Sequence, residues 1–370
     1  MSGANARLAV IDIGSNSIHL LVAEPEGRTL RAVRDESRFV NLGADVRASG
    51  RIGRERQRRA TQTVVAFADE ARRLRSSRIR VLATHAVRSA ENSDAFVAGL
   101  RKATSVEVEV ISPSHEAALA FQGARLASLS RRQVVIDIGG GSTQIAVGDL
   151  DRVIGSMSLK IGSGLLAGRL VSDRITRATW SGLRSELEGI LPRELDELRW
   201  LIEGGDVPLL FAGGALRRLS RFVDAANLPA GLPVNWIERS EKMLLSSARD
   251  LARSRGVSRK RIPIARGGLL LAEALLERLQ PGNSGAWISA GGVREGAILH
   301  MAQQRQPHAP AAGRAVPSRP VLAPGAHASS PSASSPTCSR NLPPLHCASR
   351  AKLTAHGLER RRTGTGCLRC

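Results

Sequence analysis

Two seven-residue stretches of this chain repeat one pattern, and that repeat constrains the fold more than anything else in the sequence. Ile11-Asp12-Ile13-Gly14-Ser15-Asn16-Ser17 and Ile136-Asp137-Ile138-Gly139-Gly140-Gly141-Ser142 share Ile-Asp-Ile-Gly without a gap, and a Ser three residues beyond the Gly. Each stretch ends an apolar run and enters another, which reads as a β-hairpin with a tight turn of small residues. Such a turn exposes consecutive backbone N–H groups and Ser or Asn side chains able to bind phosphate oxygens. The Asp that closes the first strand shares that space and can hold a hydrated Mg²⁺. Neither copy is a Walker A loop, because no Gly-Lys-Ser/Thr follows at the required spacing, and neither opens a helix as a Gly-x-Gly-x-x-Gly loop does. Two copies heading two successive β-then-α segments predict an internal duplication, with two lobes of similar topology.

The segments between fit that plan. The first hairpin is predicted over residues 8–23, and an amphipathic helix with a basic outer face over 51–75. A strand follows at 79–83, then a helix at 93–102 with Ser93 as N-cap, and a strand at 106–111. Ser114 is expected to cap a helix running to about residue 129. In the second half, hairpin strands reach about Leu159 and helices cover 176–203. A strand at 208–212 ends in Gly213-Gly214, further helices cover 240–254 and 268–279, and a strand at 286–289 ends in Ala290-Gly291-Gly292. A strand that ends in Gly-Gly lets backbone approach a ligand closely.

From residue 304 the chain is rich in Pro, Ala, Ser and Arg, without apolar periodicity. It is therefore expected to be disordered. That tail holds ten Lys or Arg against one acidic residue, leaving 44 basic and 32 acidic residues in the first 303. A core this basic favours polyanions. All four cysteines, Cys338, Cys347, Cys367 and Cys370, fall in the tail, so no disulfide braces the globular part. The Cys367–Cys370 pair has zinc-knuckle spacing but no second pair at regular spacing, so no metal site is predicted there. With no Tyr and four Trp, an aromatic stacking platform is not expected, nor is specific nucleic-acid binding. No apolar run is long enough to span a membrane, and no signal peptide is legible, so a cytoplasmic location is expected.

Beyond the hairpins, the residues from Val10 to Leu21, the run Ala83-Thr84-His85-Ala86-Val87-Arg88, the segment Val110 to Ala120 and the residues from Val135 to Thr143 resemble the exopolyphosphatase/guanosine pentaphosphate phosphohydrolase (Ppx/GppA) family of the actin/Hsp70/sugar-kinase superfamily. Gly162, Gly213-Gly214 and Ala290-Gly-Gly-Val-Arg-Glu-Gly296 extend the resemblance to about residue 303. It implies an α/β fold of two actin-like (ribonuclease H-like) lobes with mixed sheets and an interlobe cleft. The lobes would be residues 1–120 and 121–303, followed by the disordered tail 304–370. The family signature Ile-Ser-Gly-x-Glu-Glu-Ala reads here Ile111-Ser112-Pro113-Ser114-His115-Glu116-Ala117. The resemblance thus makes Glu116 the general base, with Pro113 and His115 as departures from the pattern.

The resemblance also implies that Asp137 coordinates Mg²⁺, with Asp12 on its outer side. Phosphate would be bound by Gly14, Ser15, Asn16 and Ser17 from one lobe, and by Gly139, Gly140, Gly141, Ser142 and Thr143 from the other. Arg88 would hold phosphate oxygens bidentately. His19 reads as a strand histidine, and His85 and His115 have no spacing to a third metal ligand. The implied activity is Mg²⁺-dependent release of orthophosphate from the end of inorganic polyphosphate. Removal of the 5′-phosphate of guanosine pentaphosphate is the rival within the class. A kinase of the same superfamily and a non-catalytic polyphosphate or nucleotide sensor are the readings from other classes. A homodimer is compatible with this resemblance.

Overall fold

Both copies of the repeat close their turns alike: Gly14 N–H donates to Ser17 O at 3.1 Å, and Gly139 N–H to Ser142 O at 2.9 Å. The computed structural model describes residues 6–125, 131–149, 152–198, 207–217, 235–280 and 285–304. The tail predicted to be disordered, with its cysteines, lies outside the described residues beyond Gln304. So do the expected helix end near residue 129 and residues 199–203 of the expected helices.

The strands β1 (Leu8–Ile13), β2 (Ser17–Glu26), β3 (Thr29–Phe39), β4 (Arg78–Ala83) and β5 (Val108–Val110) form one sheet in the order β3-β2-β1-β4-β5. The strands β6 (Gln133–Ile138), β7 (Thr143–Gly148), β8 (Val153–Leu159), β9 (Leu209–Ala212) and β10 (Ala286–Ile288) form a second, in the order β10-β9-β6-β7-β8. Read from the opposite edge, the second order is the first. Each sheet pairs its first three strands antiparallel and its last three parallel. The predicted duplication is therefore a duplication of topology.

Central strands are apolar on both faces because both are covered. On β1, Ala9, Ile11 and Ile13 pack toward α2 (Arg54–Arg73) and α4 (Ser93–Thr104). Leu8 and Val10 pack into a cluster shared with α5 (Pro113–Ala124) and α10 (Val293–Gln303). β3 had no sequence signal: it is charge-rich and mostly exposed, as suits an edge strand. The sequence also leaves α1 (Leu42–Ser49) and the single turn α3 (His85–Arg88) unassigned.

Several predicted helix ends move for identifiable reasons. The N-cap of α4 is Asn92, not Ser93, and Asn92 exchanges two 2.9 Å hydrogen bonds with the backbone of Ile52. The cap of α5 is Ser112, not Ser114: its Oγ accepts from His115 N–H at 3.1 Å. Pro113 then occupies the first turn, where its missing N–H leaves no bond unmade.

In the second half, α6 (Arg177–Ile190) starts on the cap Thr176. The single helix expected over 240–254 is two, α7 (Asn235–Leu244) and α8 (Ala248–Arg255). Arg266 of α9 (Ile262–Leu279), fully buried, explains the break. Its guanidinium donates to Leu244 O and Ser246 O at the interruption, and to Leu170 O, Ser172 O and Asp173 O beside it. Carbonyls freed by ending α7 are thereby satisfied in the interior.

Sheets and helices belong to one compact unit, Met1–Ala311. The expected boundary at residue 120 falls inside α5, which packs on β6, β7 and β8 of the second sheet. In exchange α10, from the end of the folded chain, packs on β1, β2 and β3 of the first. The two helices cross at glycines. A Cβ on Gly296 would collide with Leu119 O, and one on Gly123 with Gly292 O. Among the described residues, no helix is long and apolar enough to cross a membrane.

This crossing gives a paired test. Gly296→Ala should lower unfolding free energy by about 2–3 kcal/mol in urea titrations, because backbone must move apart. Gly182→Ala in α6, where nothing lies within 4 Å of a new Cβ, should instead raise it by about 0.5–1 kcal/mol. Equal responses would refute a crossing that depends on bare backbone.

Candidate active site

The turns of the two hairpins face each other across one cleft, and each is buttressed from behind in the same way. In the first lobe, the segment after β3 occupies the turn's carbonyls. Val40 and Asn41 N–H donate to Asn16 O at 3.0 and 2.8 Å, and Gly43 N–H to Ser15 O at 2.8 Å. In the second, the segment after β8 does so: Ser163 and Gly164 N–H donate to Gly139 O and Gly140 O, both at 2.9 Å. With the carbonyls tied back, each turn is left able to offer N–H groups to an anion. No hydrogen bond among the described residues takes up the N–H of Gly140 or Gly141.

The turns also touch, which explains why one reads Ser-Asn and the other Gly-Gly. A Cβ on Gly140 would lie 2.5 Å from Asn16 Nδ2, and one on Gly141 would lie 2.8 Å from Ser15 Oγ and run into His85. Only bare backbone fits on the second side. Gly14, Ser15, Asn16 and Ser17 line the cleft with Gly139, Gly140, Gly141 and Ser142, as do Asp12, Asp137 and Glu116. Ser17 Oγ and Asp12 Oδ1 are buried without a hydrogen-bond partner, as ligand-binding atoms often are.

Two expected site residues lie elsewhere. Thr143 is outside the cleft lining: its side chain is buried and its hydroxyl donates to Ile161 O at 2.7 Å. Arg88 is also outside the lining, and its Nη1 donates to Ile111 O at 2.6 Å and to Glu116 Oε2 at 3.0 Å. It holds the carboxylate in place. Glu116 itself sits in the first turn of α5, which the Ser112 cap positions. His115, beside it, contacts Glu109 at 3.4 Å and turns its ring edge toward His300.

Sequence reasoning missed Arg217, Arg294 and Glu295 as cleft residues. Arg294 is 3% exposed. It pairs with Asp35 of β3 at 2.6 Å and with Glu295 at 3.3 Å, and Arg217 reaches the same Glu295 oxygen at 3.3 Å. Arg294 and Glu295 stand in the family-like segment from Ala290 to Gly296, which brought no role for either, and Arg217 had only its place soon after Gly213-Gly214 as a signal.

Burial dominates the electrostatics. It raises Asp12 to about 7, opposed by Arg294 and reinforced by Asp137. It raises Glu116 to about 7 against the pull of Arg88, and Asp137 to about 6 against Arg217. Carboxylates crowded into a dry cleft need a cation to ionise together. Asp12 and Asp137 therefore suit a divalent ion. Among the described residues no group of three or more His, Cys, Asp or Glu forms a ready-made metal cage. Two carboxylates are compatible with Mg²⁺, which usually takes one or two and completes its shell with water and phosphate oxygens.

A profile of the Ppx/GppA phosphatase family matches residues 20–305, and the chain belongs to that family. It is 28% identical over 302 residues to the guanosine-5'-triphosphate,3'-diphosphate pyrophosphatase of Pseudoalteromonas translucida, covering 79% of this chain and 59% of that protein. To the protein of the same name from Photobacterium profundum it is 25% identical over 308 residues, covering 81% of this chain and 60% of the other. The chain thus spans about three-fifths of the length of these curated relatives. A crystal structure of an exopolyphosphatase from Cytophaga hutchinsonii superposes with a TM-score of 0.69 at 23% identity, over 80% of this chain and 98% of that one. The Aquifex aeolicus member of the family gives 0.64 at 22%, over 81% and 99%. The expected two-lobed actin-like fold is present.

The buried carboxylates make a signed expectation for the metal-free protein. Asp12 has its folded pKa above its unfolded value, so its contribution to stability is complete below about pH 4 and is lost as pH rises through about 7. Asp12→Asn should therefore gain stability relative to wild type across that window, by on the order of 3 kcal/mol at pH 8. Thermal unfolding from pH 4 to 8 measures it, and a gap that does not change with pH would refute the assignment.

Proposed function

We propose that the protein is a Mg²⁺-dependent phosphohydrolase that removes the terminal phosphate from a phosphoanhydride chain, with inorganic polyphosphate as substrate. The observation that carries this reading is the pairing of two N–H-bearing turns across one cleft that also holds the buried carboxylate Glu116. Successive phosphoryl groups of a chain would lie between the turns, their oxygens accepting from the backbone N–H groups and from Ser15, Asn16, Ser17 and Ser142. Asp12 and Asp137 would hold Mg²⁺, which when bound supplies charge neutralisation at the phosphate oxygens.

Glu116 would orient water for in-line attack on the terminal phosphorus and take up its proton. As the new P–O bond forms, the bond from that phosphorus to the bridging oxygen breaks, and the shortened chain leaves with the negative charge. A carboxyl raised to about 7 is matched to this exchange near neutral pH. Arg88 would fix the carboxylate by holding Oε2. The formal charge of +21 supports a long polyanion. The names of the curated relatives support guanosine pentaphosphate as the second reading. The same terminal linkage is cut in both.

Orthophosphate release from polyphosphates of defined length and from guanosine pentaphosphate, assayed side by side with Mg²⁺, separates these substrates. Glu116→Gln should lower kcat at least about 100-fold with little change in KM. Release from neither substrate by wild type would remove the hydrolase reading in favour of a binding protein. Wild-type rates in Glu116→Gln would remove the assigned base alone.

A further inference from the structure

A second cavity, of about 130 Å³, lies behind the Gly140–Gly141 turn, and it shares both glycines and His85 with the catalytic cleft. Its wall adds Arg47 of α1 from the first lobe and Lys160, which follows β8, from the second. Arg47 spans the lobes at this point. Its Nη1 would lie 3.1 Å from a Cβ on Gly43 and 3.1 Å from one on Gly164, so the guanidinium rests against buried backbone of both. Among the described residues neither Arg47 nor Lys160 has a hydrogen bond or an ion pair, and no carboxylate lines the cavity.

Burial lowers the pKa of Arg47. Burial first, then the charges of Arg88, Lys160 and Arg47, hold His85 below the usual imidazole range. Both side chains remain exposed to solvent at the cavity, and cations gathered beside a phosphate-binding turn attract an anion.

We propose that Arg47, His85 and Lys160 form an accessory subsite for a phosphoryl group of the substrate, one step beyond those gripped by the two turns. It rests on the phosphoanhydride reading above. The cavity adjoins the cleft at His85, Gly140 and Gly141, which line both, so a phosphoryl group in it would neighbour those held by the turns. Arg47 and Lys160 donate charge-assisted hydrogen bonds to the oxygens, and neutral His85 donates one N–H. A single phosphate ion held in the cleft needs neither Arg47 nor Lys160, which do not line it.

Calorimetric titration with an imido-bridged tripolyphosphate, which resists hydrolysis, and with orthophosphate tests this in the presence of Mg²⁺. Arg47→Gln and Lys160→Gln should each weaken the tripolyphosphate analogue about fivefold or more and leave orthophosphate unchanged. Arg47→Lys should recover part of the loss. Arg58→Gln removes the same charge from the exposed face of α2 and should leave both ligands unaffected. The subsite is overturned if wild type does not bind the analogue, or if neither variant weakens it. It is also overturned if orthophosphate weakens in step, or if Arg58→Gln has an equal effect. Phosphate release by wild type is followed separately, so loss of the hydrolase reading is distinguishable from loss of the subsite.

Discussion

Everything in the cleft depends on how closely α5 and α10 cross. With Gly123, Gly292 and Gly296 at the contact, the helix backbones touch without side chains between them. Each helix lies on the sheet of the opposite half of the chain, so the crossing couples the two lobes. It also sets where the first turns of both helices fall. Glu116 is in the first turn of α5 and Arg294 with Glu295 in that of α10, and all three reach the cleft. A bulkier crossing would separate a carboxylate from the turns it works beside.

Chemically the cleft combines two kinds of polar group for a physical reason. Backbone N–H groups cannot titrate and are already oriented, so they suit anion binding without reorganisation. Carboxylates do the opposite: burial drives them toward neutrality, and Arg88, Arg217 and Arg294 only partly offset it. The cleft therefore sets oriented N–H donors beside carboxylates that burial holds toward neutrality. Cations in excess mark the cavity around Arg47 and Lys160.

Patterns local in sequence were read well. Apolar runs and the paired Ile-Asp-Ile-Gly turns survive in the structure, because strand burial and turn chemistry depend on near neighbours. Features set by distant partners were not legible. The edge strand β3 looks like a polar loop until β2 is beside it. The α7–α8 break follows from Arg266, 22 residues past Leu244. Arg88 carries the same charge whether it faces phosphate or Glu116, and Thr143 the same hydroxyl whether it faces the cleft or Ile161 O. Only a position in space separates those roles.

By itself the sequence determined the duplicated hairpin, the small residues of each turn, and the carboxylates Asp12 and Asp137 that close their strands, all from short-range sterics and residue chemistry. Glu116 was singled out only by the family resemblance. Tertiary structure decided that the turns meet, that bare glycine is needed where Asn16 and Ser15 press on the second turn, and that Arg217, Arg294 and Glu295 join them. It also decided the charge of the carboxylates, since burial is a property of the assembled lobes and not of any residue.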